Sequence, residues 1–172
     1  MSDQLVGFIR NMERRLAHLE RLELHNHRVA FLYFNTQDDT DATGNSGVAT
    51  IDFDEKVYDL GSNFAADTFT APTDGKYFLT STVRVGDLDA NMDTGRIQVR
   101  TSNRIYRGTY LSPAACQTVS HYISFTVTAV ADMDAADTAT VEVIINNGAG
   151  DTADISGDAT LLVTYFAGFR VT

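Results

Sequence analysis

Four oxygen-bearing side chains alternate along the segment GDLDANMDTG: Asp87, Asp89, Asn91 and Asp93. Oxygen donors at this spacing, gathered by a loop, are the ligands calcium prefers. The segment departs from an EF-hand, because Met92 stands where that loop needs glycine and Gln98 replaces the closing glutamate at the twelfth position. Two readings stay open, a weak calcium site and a solvated acidic turn. Asp132, Asp134 and Asp137, and Asp151, Asp154 and Asp158, are weaker groups of the same kind. A second cluster is basic: Arg96, Arg100, Arg104 and Arg107 form an island that reads either as solvated hairpin arginines or as a contact for an acidic partner or neighbouring subunit. Cys116 is the single cysteine, so no internal disulfide forms, and no Cys/His motif frames it with His121. The chain contains no Gly-x-Ser-x-Gly, phosphate loop, His-Glu-x-x-His or Cys-x-x-Cys, so we expect no enzyme and no cofactor beyond weakly bound calcium.

The elements that position these residues follow from patterning. Leu5, Ile9, Met12, Leu16 and Leu19 are spaced 4, 3, 4, 3, the alternation of a coiled-coil seam. Ser2 or Asp3 is placed to cap the helix, and about 20 residues rise about 30 Å. Continuing the heptad puts Glu23 at a core position, so the repeat ends or shifts there. A helix this short is marginal alone, which favours self-association over a lone amphipathic helix packed on its own domain. The predicted strands are residues 28–35, 48–53, 76–85, 96–101, 104–110, 118–131, 138–146 and 159–171. In the third, Tyr77, Leu79, Ser81, Val83 and Val85 share one face and Phe78, Thr80, Thr82 and Arg84 the other. Pro72 and the Thr-Asp-Gly at 73–75 supply the preceding turn, with Gly75 suited to positive φ. Residues 36–47, 58–68 and 146–158 read as polar or turn-rich connections. Short strands without helical patterning between them predict an antiparallel β-sandwich or closed β body.

Composition narrows the function classes. With 172 residues and 44% hydrophobic content, the chain suits one domain plus a small appendage: a helical stem at 1–26 and a body at 27–172. The net charge is −10; residues 1–28 hold five arginines against four acids, leaving the rest at −11. An acidic body repels phosphate backbones, which excludes a nucleic-acid role. No apolar run reaches the roughly 18 residues a membrane span needs. The start, MSDQLVGFIRNMERR, has no secretory signal pattern.

The body resembles the globular head of complement 1q, in the tumour-necrosis-factor-like jelly-roll superfamily. Phe69, Gly75 and Tyr77 match that family's phenylalanine, five residues, then Gly-x-Tyr; Ala71-Pro72 sits where a small residue precedes proline; Phe166-Ala167-Gly168-Phe169 resembles its terminal Phe-Ser-Gly-Phe strand. Asp137 ahead of Val141-Glu142-Val143 resembles its Gly-Asp turn. Leu79 and Ser81 replace aromatics, Ala136 replaces the glycine of Gly-Asp, Arg170 replaces an apolar residue, and no collagen-like stem is present. The resemblance implies a trimer about a three-fold axis, with Phe69, Gly75, Tyr77, Phe166, Gly168 and Phe169 in the core or the interface, and occasional calcium binding. In such a trimer one histidine per chain, from His18, His25 or His27, could ring an axial metal; solvated residues at a helix-to-strand junction are the other reading.

The sequence therefore predicts a non-enzymatic homotrimer whose stem presents jelly-roll heads. Because the stem begins at Met1 without a signal or collagen, we expect a virion component, a phage head or tail appendage, decoration or fibre. Its helix would dock on other virion proteins and its head would meet a host-surface glycan or protein. The alternative is a secreted or cell-surface lectin-like or cytokine-like trimer.

Overall fold

The computed structural model describes residues 3–26, 29–116 and 122–171. Helix α1 spans Asp3–Asn26 and keeps its helical backbone past Glu23. The backbone of His25 thus lies on the helix, while His27 falls outside the described residues. Every described α1 side chain, residues 6–19, is exposed. That stretch contributes nothing to the body's core.

Among the described residues thirteen strands follow: β1 Ala30–Phe34, β2 Asp39–Thr43, β3 Val48–Thr50, β4 Glu55–Leu60, β5 Phe64–Ala65, β6 Thr68–Thr70 and β7 Gly75–Gly86, then β8 Thr94–Thr101, β9 Ile105–Leu111, β10 Ile123–Met133, β11 Thr138–Asn146, β12 Ala153–Ile155 and β13 Tyr165–Arg170. Strand β7 organises the first sheet. Along one edge it pairs with β10 from Gly75↔Met133 to Val85↔Ile123, and along the other with β13 and then β12. From β13 the sheet continues to β1 and β4, and from β12 to β2. The second sheet runs β5, β6, β11, β8, β9, with β3 also on β11. All pairings are antiparallel, and the two sheets enclose one hydrophobic core. This is the expected sandwich.

Alternation decided which strands could be foreseen. The faces of β7 are as predicted, with Tyr77, Leu79, Ser81, Val83 and Val85 buried. β10 alternates likewise and runs to Met133, two residues past its predicted end, while 118–121 lie outside the described residues. The β8–β9 hairpin turns at Ser102-Asn103, closed by the Thr101 amide donating to the Arg104 carbonyl at 2.8 Å. Three expectations are corrected. The connections at 36–47 and 146–158 contain β2 and β12, and residues 58–68 contain the end of β4, all of β5 and the first residue of β6. Gly75 opens β7 without positive φ, so the turn does not use its left-handed freedom. The last strand is only Tyr165–Arg170, and its core face is the one carrying Phe166 and Gly168.

Candidate interaction surfaces

Three of the signature residues, Phe69, Phe166 and Gly168, meet on one ring, that of Phe31. Phe69 from β6 stacks on Phe31 at 4.8 Å between centroids, and Phe166 from β13 meets Phe31 edge-on at 5.0 Å. Tyr77 lies 5.4 Å from Phe69, and its hydroxyl donates to the Thr73 carbonyl at 2.6 Å, tying the turn to the strand that leaves it. A buried tyrosine needs such a partner. Gly168 passes so close to Phe31 and Leu79 that a Cβ would collide with both side chains. Phe69, Tyr77, Phe166 and Gly168 thus belong to the subunit's own core, and Tyr77 is wholly buried with nothing left for a neighbour. Phe169 is different: it is 47% exposed and stacks on Phe78 at 5.0 Å.

Phe169 opens the first candidate surface, the outward face of the first sheet. Register places Val130, Phe78, Phe169, Ala30 and Leu60 in one row across five strands. Thr128, Thr80, Ala167, Leu32 and Tyr58 form the next. Neither row carries a charge, although the chain has 36 charged residues, 23 acidic and 13 basic. Val130, Tyr58 and Leu60 are exposed alongside Phe169. Side-chain hydroxyls pair across the face, Thr80 with Thr128 at 3.0 Å and Thr82 with Thr126 at 3.2 Å. These two rows are uncharged and partly apolar, bordered by the exposed Lys76–Asp132 pair, and such a patch suits a protein interface.

The second surface is the α1 stripe. Ile9, Met12, Leu16 and Leu19 are all exposed and line one concave strip with Glu13 and Arg15. The helix backbone includes Leu5; its side chain is outside the described residues.

The acidic segment is held in place by its apolar residues. Leu88 and Met92 are buried in the core, and they anchor the connection while its acids point outward. Asp89 is already engaged: its carboxylate accepts from the Asn91 amide at 2.5 Å and the Ala149 amide at 3.0 Å. The bond from Ala149, then that from Asn91, holds its carboxyl below the usual carboxylate range. Asp87 sits at φ 52°. Among the described residues no group of three or more His, Cys, Asp or Glu side chains is placed to hold a metal ion. Asp158 likewise caps its own turn, accepting from the Thr160 and Leu161 amides. His18 is exposed on α1 and Cys116 stands in the 3-10 turn Ala114–Cys116; His121 is outside the described residues.

The arginine island splits. Arg100 Nε donates to Glu142 Oε1 at 2.6 Å, and Gln98 Nε2 donates to Glu142 Oε2 at 2.6 Å, so this carboxylate is held on both oxygens. Arg96, Arg104 and Arg107 form no ion pair among the described residues. Sequence reading missed the role of Glu142, whose only signal was a single charge inside the apolar run of β11; register sets it opposite Gln98.

No protein-family model and no curated protein matches the sequence. Solved structures do. The globular domain of zebrafish complement 1qA superposes with a TM-score of 0.54 at 13% identity, covering 84% of this chain and 98% of that one. Murine APRIL superposes with a TM-score of 0.53 at 17% identity, covering 84% and 99%. The body, built on β7 and its partners, therefore has the jelly-roll fold of the complement 1q and tumour-necrosis-factor-like domains, at a sequence distance that leaves the fold as what they share.

Proposed function

We propose that the protein is a non-enzymatic homotrimer that displays jelly-roll heads on a helical stem. The observation that carries this reading is the exposed stripe Ile9, Met12, Leu16 and Leu19, on a helix with no described side chain buried against the body. An isolated helix of 24 residues gains stability mainly by covering its apolar face, and sister helices offer a matching one. The heptad places Arg15 and Glu20 at flanking positions five residues apart, where a parallel coil pairs them between helices. The uncharged face of the first sheet supplies a second contact between bodies, and three is the number the resemblance implies.

Within this reading the trimer is a virion component, a head or tail appendage whose stem docks on other particle proteins and whose heads face outward. The mixed apolar and arginine-bearing surface of α1 supports a stem that both associates and docks. Light scattering of the purified chain should give three times 18.8 kDa, and Leu16→Asp should shift the mass toward the monomer; a monomeric wild type refutes the trimer. Mass spectrometry of purified particles from the source tests the finer assignment, which fails if the chain is absent from them. Glycan-array binding by the free protein together with that absence would favour the secreted lectin-like alternative.

A further inference from the structure

On the second sheet, the face turned away from the core is carried by β8 and β9. Ile97 and Val99 of β8 are buried in the core, so Arg96, Gln98 and Arg100 alternate to the other side. Register sets Arg107 opposite Gln98, Ile105 opposite Arg100 and Tyr110 opposite Arg96. Residues 94–111 contain four arginines and no acid, whereas the remainder of the body holds 4 basic and 19 acidic residues. Half of the body's cations therefore lie on one hairpin.

Within the subunit this charge is only partly answered. Glu142 takes Arg100, and it is itself almost fully covered. Arg96 keeps a buried Nε and Gln98, 3% exposed, a buried Oε1, each without a hydrogen-bond partner. Arg104 and Arg107 are exposed and unpaired among the described residues. Tyr110 is 65% exposed and Ile105 is also exposed, so apolar groups interleave with the guanidinium groups. Arginine and tyrosine around an aliphatic residue is the composition of a protein-binding hot spot, and a guanidinium fork fits a planar carboxylate.

We propose that the outer face of the β8–β9 hairpin binds an acidic polypeptide segment, with Arg104 and Arg107 meeting its carboxylates and Tyr110 and Ile105 its apolar side chains. The Glu142 carboxylate, held by Arg100 and Gln98, shows on the same face the recognition the partner would extend. This face belongs to the sheet opposite the one proposed to self-associate, and the inference stands whether or not the chain is a trimer.

The test uses the full chain and a labelled peptide alternating glutamate with leucine and tyrosine, measured by fluorescence anisotropy at low salt, with a heparin dodecasaccharide in parallel. The peptide should bind, added salt should weaken it, and Arg104→Glu with Arg107→Glu should lower affinity at least about tenfold. The charge-matched control Lys56→Glu with Lys76→Glu should change it less than about twofold. Circular dichroism and Tm confirm that both variants fold; if the arginine pair fails to fold, Tyr110→Ala replaces it, with a loss of affinity expected. Absence of peptide binding, equal losses in both pairs, or a preference for heparin overturns the proposal. So does arginine-dependent self-association, which would make the partner another copy.

Discussion

At the residue scale, the departures from the family pattern have physical reasons. Leu79 faces Gly168 across β7 and β13, and Ser81 faces Phe166. A large residue meets none, and a small one meets a large ring, so total volume is kept by exchanging sizes across the strand pair. Ser81, fully buried, donates to the Tyr165 carbonyl at 2.7 Å and leaves no unpaired hydroxyl. Ala136 is less well accommodated. It sits at φ 71°, in the left-handed region where a Cβ is strained by about 1–2 kcal/mol. Ala136→Gly should stabilise the protein by about 0.5–1 kcal/mol after the added freedom of the unfolded glycine is subtracted; an unchanged or lower midpoint in urea would refute the strain. Asp52 gives a pH-dependent case. Burial first, then the hydrogen bond and charge of Asp67, raise its pKa above the ordinary 3.8. The folded chain thus holds this proton more tightly, and the associated stability is present below pH 3.8 and lost as pH rises through the raised value. Asp52→Asn, neutral throughout, should raise Tm at pH 7 and leave it nearly unchanged at pH 3. Equal shifts at both values would point to a cause other than ionisation.

At the scale of elements, strand β9 explains how an exposed strand edge is closed. Between the Arg96↔Tyr110 and Gln98↔Arg107 pairs, β9 carries one residue more than β8. Such a bulge re-aims side chains. Gly108, within it, passes so close to Thr126 and Val127 of β10 that no Cβ fits. Thr109 then uses one hydroxyl twice, donating to the Thr126 carbonyl at 3.0 Å and accepting from the Thr126 amide at 3.1 Å. The free edge of β10 is occupied by a side chain where a further strand would pair. Thr109→Val keeps the shape and removes both bonds, so we expect a loss of about 1 kcal/mol. Amide exchange at Thr126 should accelerate with it; unchanged exchange would deny Thr109 this role. None of this was legible in the sequence, where Gly108 and Thr109 read as ordinary strand residues. Long strands with one buried face, β7 and β10, announce themselves through period two, and β11 through a continuous apolar run. The missed ones lack that contrast: β4 is almost wholly exposed, and β2 and β12 are short and interrupted by register shifts or a positive φ at Asp41. The β5–β6 turn hides for a chemical reason. Ala66 and Asp67 both have positive φ, as a two-residue hairpin turn demands, but without the Asn-Gly that normally signals it. The signature residues were legible one by one, yet their meeting on Phe31 depends on pairings far apart in sequence.

At the scale of the molecule, charge is arranged by face. The α1 segment is balanced, with four arginines against four acids, the body strongly acidic, the outer first sheet uncharged through its middle rows, and the β8–β9 hairpin wholly basic among its ionised groups. Acidic bodies repel one another unless their contact is neutral, and the rows containing Val130 and Thr128 offer such a contact. In the proposed trimer the stem and these rows therefore make separable contacts. A trimer held by both should survive the loss of either at high concentration and dissociate when both are lost. Val130, 57% exposed in the subunit, reports on the face without disturbing the core. Burying an aliphatic side chain of this size contributes about 1.5–3 kcal/mol, so Val130→Asp should raise the dissociation midpoint more than tenfold while leaving the urea stability of the isolated subunit unchanged. Leu16→Asp should do the same through the stem, and the two together should give a monomer in sedimentation velocity at concentrations where each single variant still associates. If Val130→Asp leaves association untouched while Leu16→Asp abolishes it, the stem alone assembles the protein and the uncharged face has another partner.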